Sequence, residues 1–124
     1  MHALLQHVIV DDTCTKGDKT ITEIIMNRPD LWPFFGTNAK TEVPIAANIN
    51  GKFTSRRIDR LLINNSTKSI DFIDYKTDTD KNTFLNKYKT QLKEYAELLQ
   101  SAFPDYKITG YILWLQDWTL EKII

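Results

Sequence analysis

Hydrophobic positions at the start of the chain recur at the spacing of a helix. Ala3, Leu4, His7 and Val8 form one stripe, which predicts a helix that runs from the first residue to about Val10. Histidines more often serve structure than function, and we therefore interpret His7 as a packing or surface residue. The first predicted element is helical.

Two further helices are predicted downstream, and each is ended by a proline. The first covers 20–27 and stops before Pro29, because proline disfavours the helical conformation in the residue that precedes it. The second covers 82–103 and stops at Pro104. Its apolar stripe contains Phe84, Tyr88, Leu92, Tyr95, Leu99 and Ala102.

Alternation of polar and apolar residues predicts five strands. They cover 42–49, 57–64, 69–76, 107–115 and 119–123. The polar segment 65–68 is typical of a turn. Proline donates no ladder hydrogen bond. Pro44 therefore indicates either that the first strand lies at a sheet edge or that the strand starts near this residue. The element order α-β-β-β-α-β predicts an α/β fold in which helices flank a mixed sheet.

The composition is that of one soluble globular domain. The chain has 124 residues, 42% hydrophobic and 26% charged, which is enough for one core and too few for two ordinary domains. No apolar run approaches the roughly 20 residues that cross a bilayer, and the N-terminus lacks the basic region of a signal peptide. We therefore expect a cytoplasmic protein. Cys14 is the single cysteine, so this chain offers no internal disulfide, cysteine-rich zinc site or iron–sulfur cluster.

Charge is distributed unevenly, although the formal net charge is zero. Residues 51–95 contain ten Lys or Arg and six Asp or Glu, and two or three of those acids are candidates for a metal site. The remaining field in this segment is basic, which is consistent with a polyanionic partner and equally with an ordinary solvated surface. Charge alone leaves both interpretations open.

Two carboxylates are predicted to face each other across the central hairpin. Alternation places two sets of side chains on its core-facing side: Arg57, Asp59, Leu61 and Ile63, and Ile70, Phe72, Asp74 and Lys76. A two-residue turn at 66–67 pairs Leu61 with Phe72. In the same register Asp59 stands opposite Asp74, where like charges are destabilising unless something neutralises them.

A divalent cation would neutralise this pair of acids. Mg²⁺ prefers oxygen ligands, commonly takes one or two protein carboxylates, and keeps waters and phosphate oxygens as its other ligands. Lys76 projects to the same side and could approach the phosphate or the attacking water. The set predicts Mg²⁺-dependent phosphodiester hydrolysis, with Mn²⁺ as a substitute. The alternative is a strand-end ion pair between Asp74 and Lys76, worth at most about 1 kcal/mol.

Five ordered blocks of the sequence resemble the PD-(D/E)XK nuclease superfamily, and specifically the C-terminal nuclease domain of AddA/RecB-type helicase–nucleases. The blocks are HALLQ at 2–6, EVP at 42–44, IDRLL at 58–62, IDYKTD at 73–78 and QLKEY at 91–95. They follow the order expected of the family and cover almost the whole chain. The resemblance implies a restriction-endonuclease-like core.

The resemblance also implies roles for single residues at the predicted metal site. His2, Asp59 and Asp74 resemble the side chains that bind the metal in the family. Tyr75 would contribute its backbone carbonyl to the same ion. Lys76 resembles the catalytic lysine.

Further residues are assigned around this set. Gln91 and Tyr95 resemble the family's Q-x-x-x-Y motif, which supports the active site and contacts DNA. A buried amide at Gln91 needs hydrogen-bond partners, which either a site-facing position or a strand-capping position would supply. Arg56 and Arg57 are assigned to contact DNA, and Glu42 is a candidate accessory acid.

Five aromatic residues are predicted to be core rather than base-stacking surfaces, because they lie outside the candidate site. They are Trp32, Phe34 and Phe35 before Gly36, and the pair Trp114 and Trp118. This leaves the predicted hairpin and the long helix to carry the chemistry.

The resemblance implies a larger assembly. In the family this domain follows two helicase domains, so we expect 1–124 to be one nuclease domain, a fragment or split-off end of a longer helicase–nuclease. The ATP-binding pattern G-x-x-x-x-G-K-[ST] is absent from this chain. The implied activity is a Mg²⁺-dependent, exonuclease-type deoxyribonuclease of double-strand-break end processing and recombinational repair. Two alternatives stay open: a catalytically silent DNA-binding or interaction module of the same fold, and a freestanding phage-type or CRISPR-type exonuclease.

Overall fold

The computed structural model describes residues 2–11 and 15–124, with the backbone alone at 2 and 3. Its helices are α1 (His2–Leu5), α2 (Lys19–Met26), α3 (Trp32–Phe35) and α4 (Lys81–Ala102), with a 3₁₀ turn at Pro29–Leu31. Its strands are β1 (Ile9–Val10), β2 (Thr15–Lys16), β3 (Lys40–Ile49), β4 (Lys52–Asn64), β5 (Ser69–Lys76), β6 (Lys107–Trp114) and β7 (Thr119–Lys122). The two downstream helices and the five predicted strands are confirmed, and β4 starts earlier than predicted, at Lys52.

Five strands form one mixed sheet in the order β3-β4-β5-β6-β7. β5 and β6 are parallel, and the other neighbours are antiparallel. α4 makes the crossover that parallel neighbours require. The fold is therefore a five-stranded mixed sheet flanked by helices, as expected, and it is compatible with a restriction-endonuclease-like core. β3 lies at an edge, which agrees with Pro44. Within the described ranges, no helix is long and apolar enough to cross a membrane.

The predicted register of the β4–β5 hairpin is confirmed. Ile63 pairs with Ile70, and Leu61 pairs with Phe72. The pairing ends at Arg60 and Ile73, so the predicted pair of Asp59 with Asp74 is not part of the observed ladder. The apolar pairs hold this register, because a shift of one residue would send every side chain to the other face.

Each face of the sheet has its own apolar cluster. The cluster under α4, which we call the α4 face, includes Ile58, Leu61, Phe72, Leu92, Ile112 and Trp114. The cluster under α1 to α3, which we call the N-terminal face, includes Leu5, Ile25, Phe35, Ile73 and Leu113. β5 and β6 supply residues to both clusters, since successive strand residues point to opposite faces.

The predicted first helix is wrong beyond Leu5. α1 ends there, and the chain passes into β1, which pairs with β2 in antiparallel fashion. Leu5 is fully buried and Leu4 is exposed, so the buried stripe is not the predicted one. The β-branched residues Val8 and Val10 suit a strand better than a helix, and both are buried on the N-terminal face.

The predicted alternation of β4 is wrong between Ile58 and Leu61. Both residues pack in the α4-face cluster, although an odd spacing should place them on opposite faces. Arg60 between them points to the N-terminal face. The irregularity centres on Asp59, which lies across from Glu42 in the β3–β4 register. Glu42 has a φ of 49°, in the left-handed region that non-glycine residues rarely adopt.

The aromatic residues follow the prediction with one exception. Phe34, Phe35 and Trp114 are buried, and Trp118 packs partly buried against the N-terminal-face cluster. Trp32 is exposed, so the prediction of a core position was wrong there. Its indole Nε1 donates a hydrogen bond to a backbone carbonyl of α2 at 2.8 Å, which lets the ring lie at the surface.

Candidate functional site

The Asp59 carboxylate occupies the place where the β4–β5 ladder stops. Its Oδ2 accepts a hydrogen bond from the backbone N–H of Tyr75 at 2.8 Å. The last register pair between β4 and β5 is Arg60 with Ile73. Beyond that pair, the Asp59 side chain is the acceptor for a backbone N–H of β5. Asp59 is thereby held beside the end of β5, next to Asp74.

The Asp74 carboxyl is buried on the α4 face, at 5% exposure. Its pKa is raised to about 6, chiefly by burial; Lys76 opposes the rise and the nearby Asp59 carboxylate adds to it. Its Oδ2 lies 2.9 Å from Lys76 Nζ as an ion pair without hydrogen-bond geometry. No hydrogen bond to this oxygen is found among the described residues, so part of its acceptor capacity is unmet.

The Lys76 ammonium is held from three sides. It lies 2.9 Å from Asp74 Oδ2, and it donates to Gln91 Oε1 at 2.9 Å. Its Nζ also lies 4.3 Å from the centroid of the Tyr88 ring, within the range of a cation–π contact. The side chain is mostly buried, so its amine has a defined position.

α4 brings Gln91 and Tyr95 to this amine. The helix begins at Asp80, whose Oδ1 accepts from the backbone N–H of Thr83 at 3.2 Å, a common N-terminal cap. Gln91 Nε2 donates to the Tyr95 hydroxyl at 2.9 Å, while its Oε1 accepts from Lys76. The amide at 91 therefore faces the candidate site and is satisfied at both ends.

Tyr95 is buried beneath this amide. Burial raises the pKa of its hydroxyl to about 12, with the Asp74 carboxyl as the next contribution. Its ring packs edge-on to Phe72 in the α4-face cluster, with centroids 6.1 Å apart. In this structure the Tyr95 hydroxyl accepts a hydrogen bond from Gln91, and its contact with DNA stays a prediction.

A cleft of about 490 Å³ opens beside Lys76 and Gln91. Its other lining residues are Arg56, Lys87, Tyr88, Thr90 and Glu94. Arg56 Nε forms an ion pair with Glu94 at 2.6 Å across the cleft wall, and both groups are partly exposed. A larger cavity of about 650 Å³ lies on the N-terminal face and touches none of the candidate site residues.

The described acids form a pair rather than a larger metal-binding cluster. In the described part of the chain, no group of three or more His, Cys, Asp or Glu is gathered in a way that would hold a metal. Mg²⁺ commonly takes one or two protein carboxylates and keeps water as its other ligands. Asp59 and Asp74, with an unsatisfied oxygen on the buried member, fit that habit.

Two predicted residues with described side chains, Glu42 and Arg57, have their observed contacts away from this pair. The side chain of a third predicted residue, His2, lies outside the described residues. Glu42 lies 3.9 Å from Arg57, and a reoriented Gln6 amide would also donate to it, at 2.6 Å. Arg57 is exposed and lies outside the cleft that Arg56 lines, because neighbouring strand residues point to opposite sides. The structure thus separates these two arginines.

The sequence analysis missed four residues that line the cleft: Lys87, Tyr88, Thr90 and Glu94. Tyr88 was assigned to the apolar stripe of the long helix, and its partial packing against the α4-face cluster agrees with that. Its position three residues before Gln91 was the available signal, because residues three apart on a helix are neighbours.

Comparisons with known proteins add little. No family model matches the sequence, and no curated protein matches it. The crystal structure of a protein named SSO0001 is similar at 23% sequence identity and a TM-score of 0.47, over 83% of this chain and 49% of that one. This chain therefore spans about half the length of that protein. A similarity of this size carries no argument about function.

Proposed function

We propose that this protein is a Mg²⁺- or Mn²⁺-dependent DNA nuclease that hydrolyses phosphodiester bonds. The observation that carries the proposal is the buried Asp74 carboxyl, incompletely hydrogen-bonded, with a second acid and Lys76 beside it. Strongly perturbed carboxyl groups at a cleft are typical of functional sites. The neighbouring cleft contains three cationic side chains, which suits a polyanionic substrate.

Each residue has a role in this proposal. Asp59 and Asp74 would hold the metal ion, and the backbone carbonyl of Tyr75 would be a further ligand. When bound, Mg²⁺ supplies Lewis acidity towards a phosphate oxygen and the attacking water. Lys76 would orient that water through its ammonium group. Gln91 would hold the Lys76 amine in place through the contact at 2.9 Å.

The cleft residues would bind the DNA backbone. Arg56 and Lys87 line the cleft on either side of Gln91. An arginine can bind a phosphate with two parallel hydrogen bonds, whereas a lysine acts as a point charge. Arg56 would exchange Glu94 for a phosphate as DNA enters, and Lys87 would contact a neighbouring phosphate.

The biological setting belongs to the proposal through the sequence resemblance alone. That setting is DNA end processing in double-strand-break repair and recombination, in the cytoplasm, with helicase domains or a helicase–nuclease subunit as partner. His2 would complete the metal site in the same scheme. The chemistry at Asp74 and Lys76 can be tested without the partner.

Cleavage by matched variants tests the assignment. We expect Asp74→Asn and Lys76→Met to reduce cleavage of linear single-stranded DNA in Mg²⁺ at least about 100-fold, since they remove groups that act on the transition state. Asp71→Asn is the control, because Asp71 lies on the same strand and points away from the site. Thermal unfolding is the check that all three variants are folded. Undiminished cleavage by either site variant would refute the proposal.

A second candidate is a catalytically silent module that keeps the nuclease fold. The ion pair between Asp74 and Lys76 favours it, because it already neutralises part of the buried charge. Calorimetric titration with Mn²⁺ separates the two candidates. A nuclease binds the ion and loses that binding in Asp59→Ala, whereas a silent module gives the same heat in both proteins.

A further inference from the structure

Phe84 is an exposed aromatic residue on α4, one helical turn before Tyr88. It is 37% exposed, while its neighbour Leu85 packs against the α4-face cluster. Its ring stacks on Tyr88 with centroids 6.1 Å apart and an interplanar angle of 28°. Helix residues four apart are surface neighbours, which explains the contact. Phe84 therefore contributes to a surface rather than to the core.

The stack of Phe84 on Tyr88 is continuous with the candidate site. Tyr88 lines the cleft, and Lys76 Nζ lies 4.3 Å from its ring centroid. The Tyr88 hydroxyl donates to Asp78, which fixes the ring orientation. Behind it, Trp114 lies with its centroid 6.1 Å from that of Tyr88. The aromatic surface thus runs from the catalytic amine outward to Phe84 with a rigid backing.

The charge around this stack is mixed, with an excess of cations on α4. Asp78 accepts from the Tyr88 hydroxyl, and Asp117 forms an ion pair with Lys81 at 2.7 Å. Residues 81–93 of α4 contain four lysines and no acid. Lys81 lies three residues before Phe84, and Lys87 lies three residues after it, so both border its face of the helix. An exposed aromatic ring between cations is typical of surfaces that bind single-stranded nucleic acid, where bases stack and phosphates pair with charge.

We propose that Phe84, backed by Tyr88, is a stacking subsite for an unpaired nucleobase adjacent to the phosphate at Lys76. The inference rests on the proposed nuclease function and deepens it, because it names the form of the substrate. A base in a duplex already stacks on its neighbours, so a protein ring can receive it only when the strand is single or frayed. The subsite therefore selects single-stranded DNA over duplex DNA.

Binding without cleavage tests the subsite. Fluorescence anisotropy in EDTA compares an oligothymidylate with an abasic oligomer of the same length, which has the same phosphates and no bases. We expect the wild-type protein to prefer the thymidylate by at least about fivefold, the lower end of what one stacked base contributes. Phe84→Leu keeps an apolar side chain and removes the stack, so the two affinities become equal.

Phe53→Leu is the matched control. Phe53 is 68% exposed on the β3–β4 hairpin, outside the residues that line the cleft. The preference for bases persists in this variant if Phe84 is the subsite. A blunt duplex of equal length provides the second comparison. It should bind more weakly than the single strand to the wild type and to Phe53→Leu, and this difference should be lost in Phe84→Leu.

The outcomes separate this inference from the proposed function. Equal binding of thymidylate and abasic strands by the wild type overturns the subsite, even if Mg²⁺-dependent cleavage is normal. The same loss in Phe53→Leu overturns it as well, because the effect would then belong to exposed aromatics in general. Binding with base preference but without cleavage in Mg²⁺ supports the subsite and refutes the nuclease.

Discussion

Two charges are buried on opposite faces of the β4–β5 pair, and their surroundings differ. Arg60 is 1% exposed, and each of its guanidinium nitrogens donates a hydrogen bond. The acceptors are the Tyr75 hydroxyl at 2.7 Å and the backbone carbonyls of Leu5 at 2.5 Å and of Phe34 and Val8, each at 2.9 Å. The guanidinium also lies over the ring of Phe35 at 3.9 Å. Hydrogen-bond acceptors and an aromatic ring thus surround the guanidinium.

Asp74 on the other face lacks such closure. Its contacts are an ion pair with Lys76 and the proximity of a second acid, and its Oδ2 keeps unmet acceptor capacity. Burial lowers the pKa of Arg60 and raises that of Asp74, so both charged forms are penalised by desolvation. Surrounding dipoles compensate the Arg60 cation, whereas an ion pair with Lys76 is what compensates the Asp74 carboxylate.

We infer that the Arg60 network is structural, and the contrast supports the function proposed for the Asp74 site. A buried polar group whose partners are complete stabilises a fold and specifies its packing. A buried charge with incomplete partners persists only where the rest of the structure holds it, and such groups concentrate at functional sites. The N-terminal face therefore stabilises the protein, and the α4 face carries the proposed chemistry.

The largest predicted effect on stability comes from breaking the hydrogen-bond network around Arg60. Arg60→Met leaves several buried acceptors without a donor, so we expect a loss of about 3–5 kcal/mol in the free energy of unfolding. Urea denaturation measures the change. Arg57→Met on the same strand is the control, with an expected change within about 0.5 kcal/mol because the side chain is exposed. A loss below about 1 kcal/mol for the Arg60 variant would show that the network is not closed.

A smaller effect is predicted beneath the guanidinium. Phe35→Leu removes the ring that Arg60 lies over and leaves a small cavity, so we expect a loss of about 1–2 kcal/mol. Phe34→Leu is the matched control, because Phe34 is buried on the same face and packs edge-on to Tyr111 instead. Thermal unfolding should show the larger loss at Phe35, with DNA cleavage unchanged in both. Equal losses in the two variants would show that the cation–π contact between Arg60 and Phe35 adds no measurable stability.

The smallest predicted effect is a gain of stability at the open site. The folded pKa of Asp74 is about 6, above its ordinary value of 3.8, so folding favours the protonated form. Stability contributed by this carboxyl is present below about pH 4 and is lost as pH rises through about 6. Asp74→Asn should therefore have a higher free energy of unfolding than the wild type at pH 8 in EDTA, measured by urea denaturation. The difference should vanish near pH 4.

An unchanged or lower stability of Asp74→Asn at pH 8 would contradict this prediction. It would mean that Lys76 compensates the carboxylate as fully as neutral dipoles compensate Arg60. The two faces would then differ in the sign of the charge alone, and the open site would lose its physical basis.

Local patterns predicted much of this fold because the physics behind them is local. The apolar pairs between 61–63 and 70–72 set the hairpin register, and proline ended both downstream helices. The cap at Asp80 is a local signal of the same kind. The prediction failed at α1, where the buried side of Leu5 depends on a sheet formed by distant residues. It failed again at Asp59, where a backbone irregularity interrupts the alternation that the pattern assumes.

The sequence by itself determined which residues could meet at the candidate site. The two apolar pairs set the hairpin register, and the period of a strand places Asp74 and Lys76 on one side. The hydrogen bond from Tyr75 N–H to Asp59, beyond the last register pair, holds the second acid nearby. Tertiary structure decided that Arg60 has a complete set of hydrogen-bond partners and that Asp74 does not. Arg60 belonged to the basic segment when only its neighbours in sequence were visible. Its acceptors at Val8 and Leu5 lie 52 and 55 positions away, and no local pattern reports a partner at that distance.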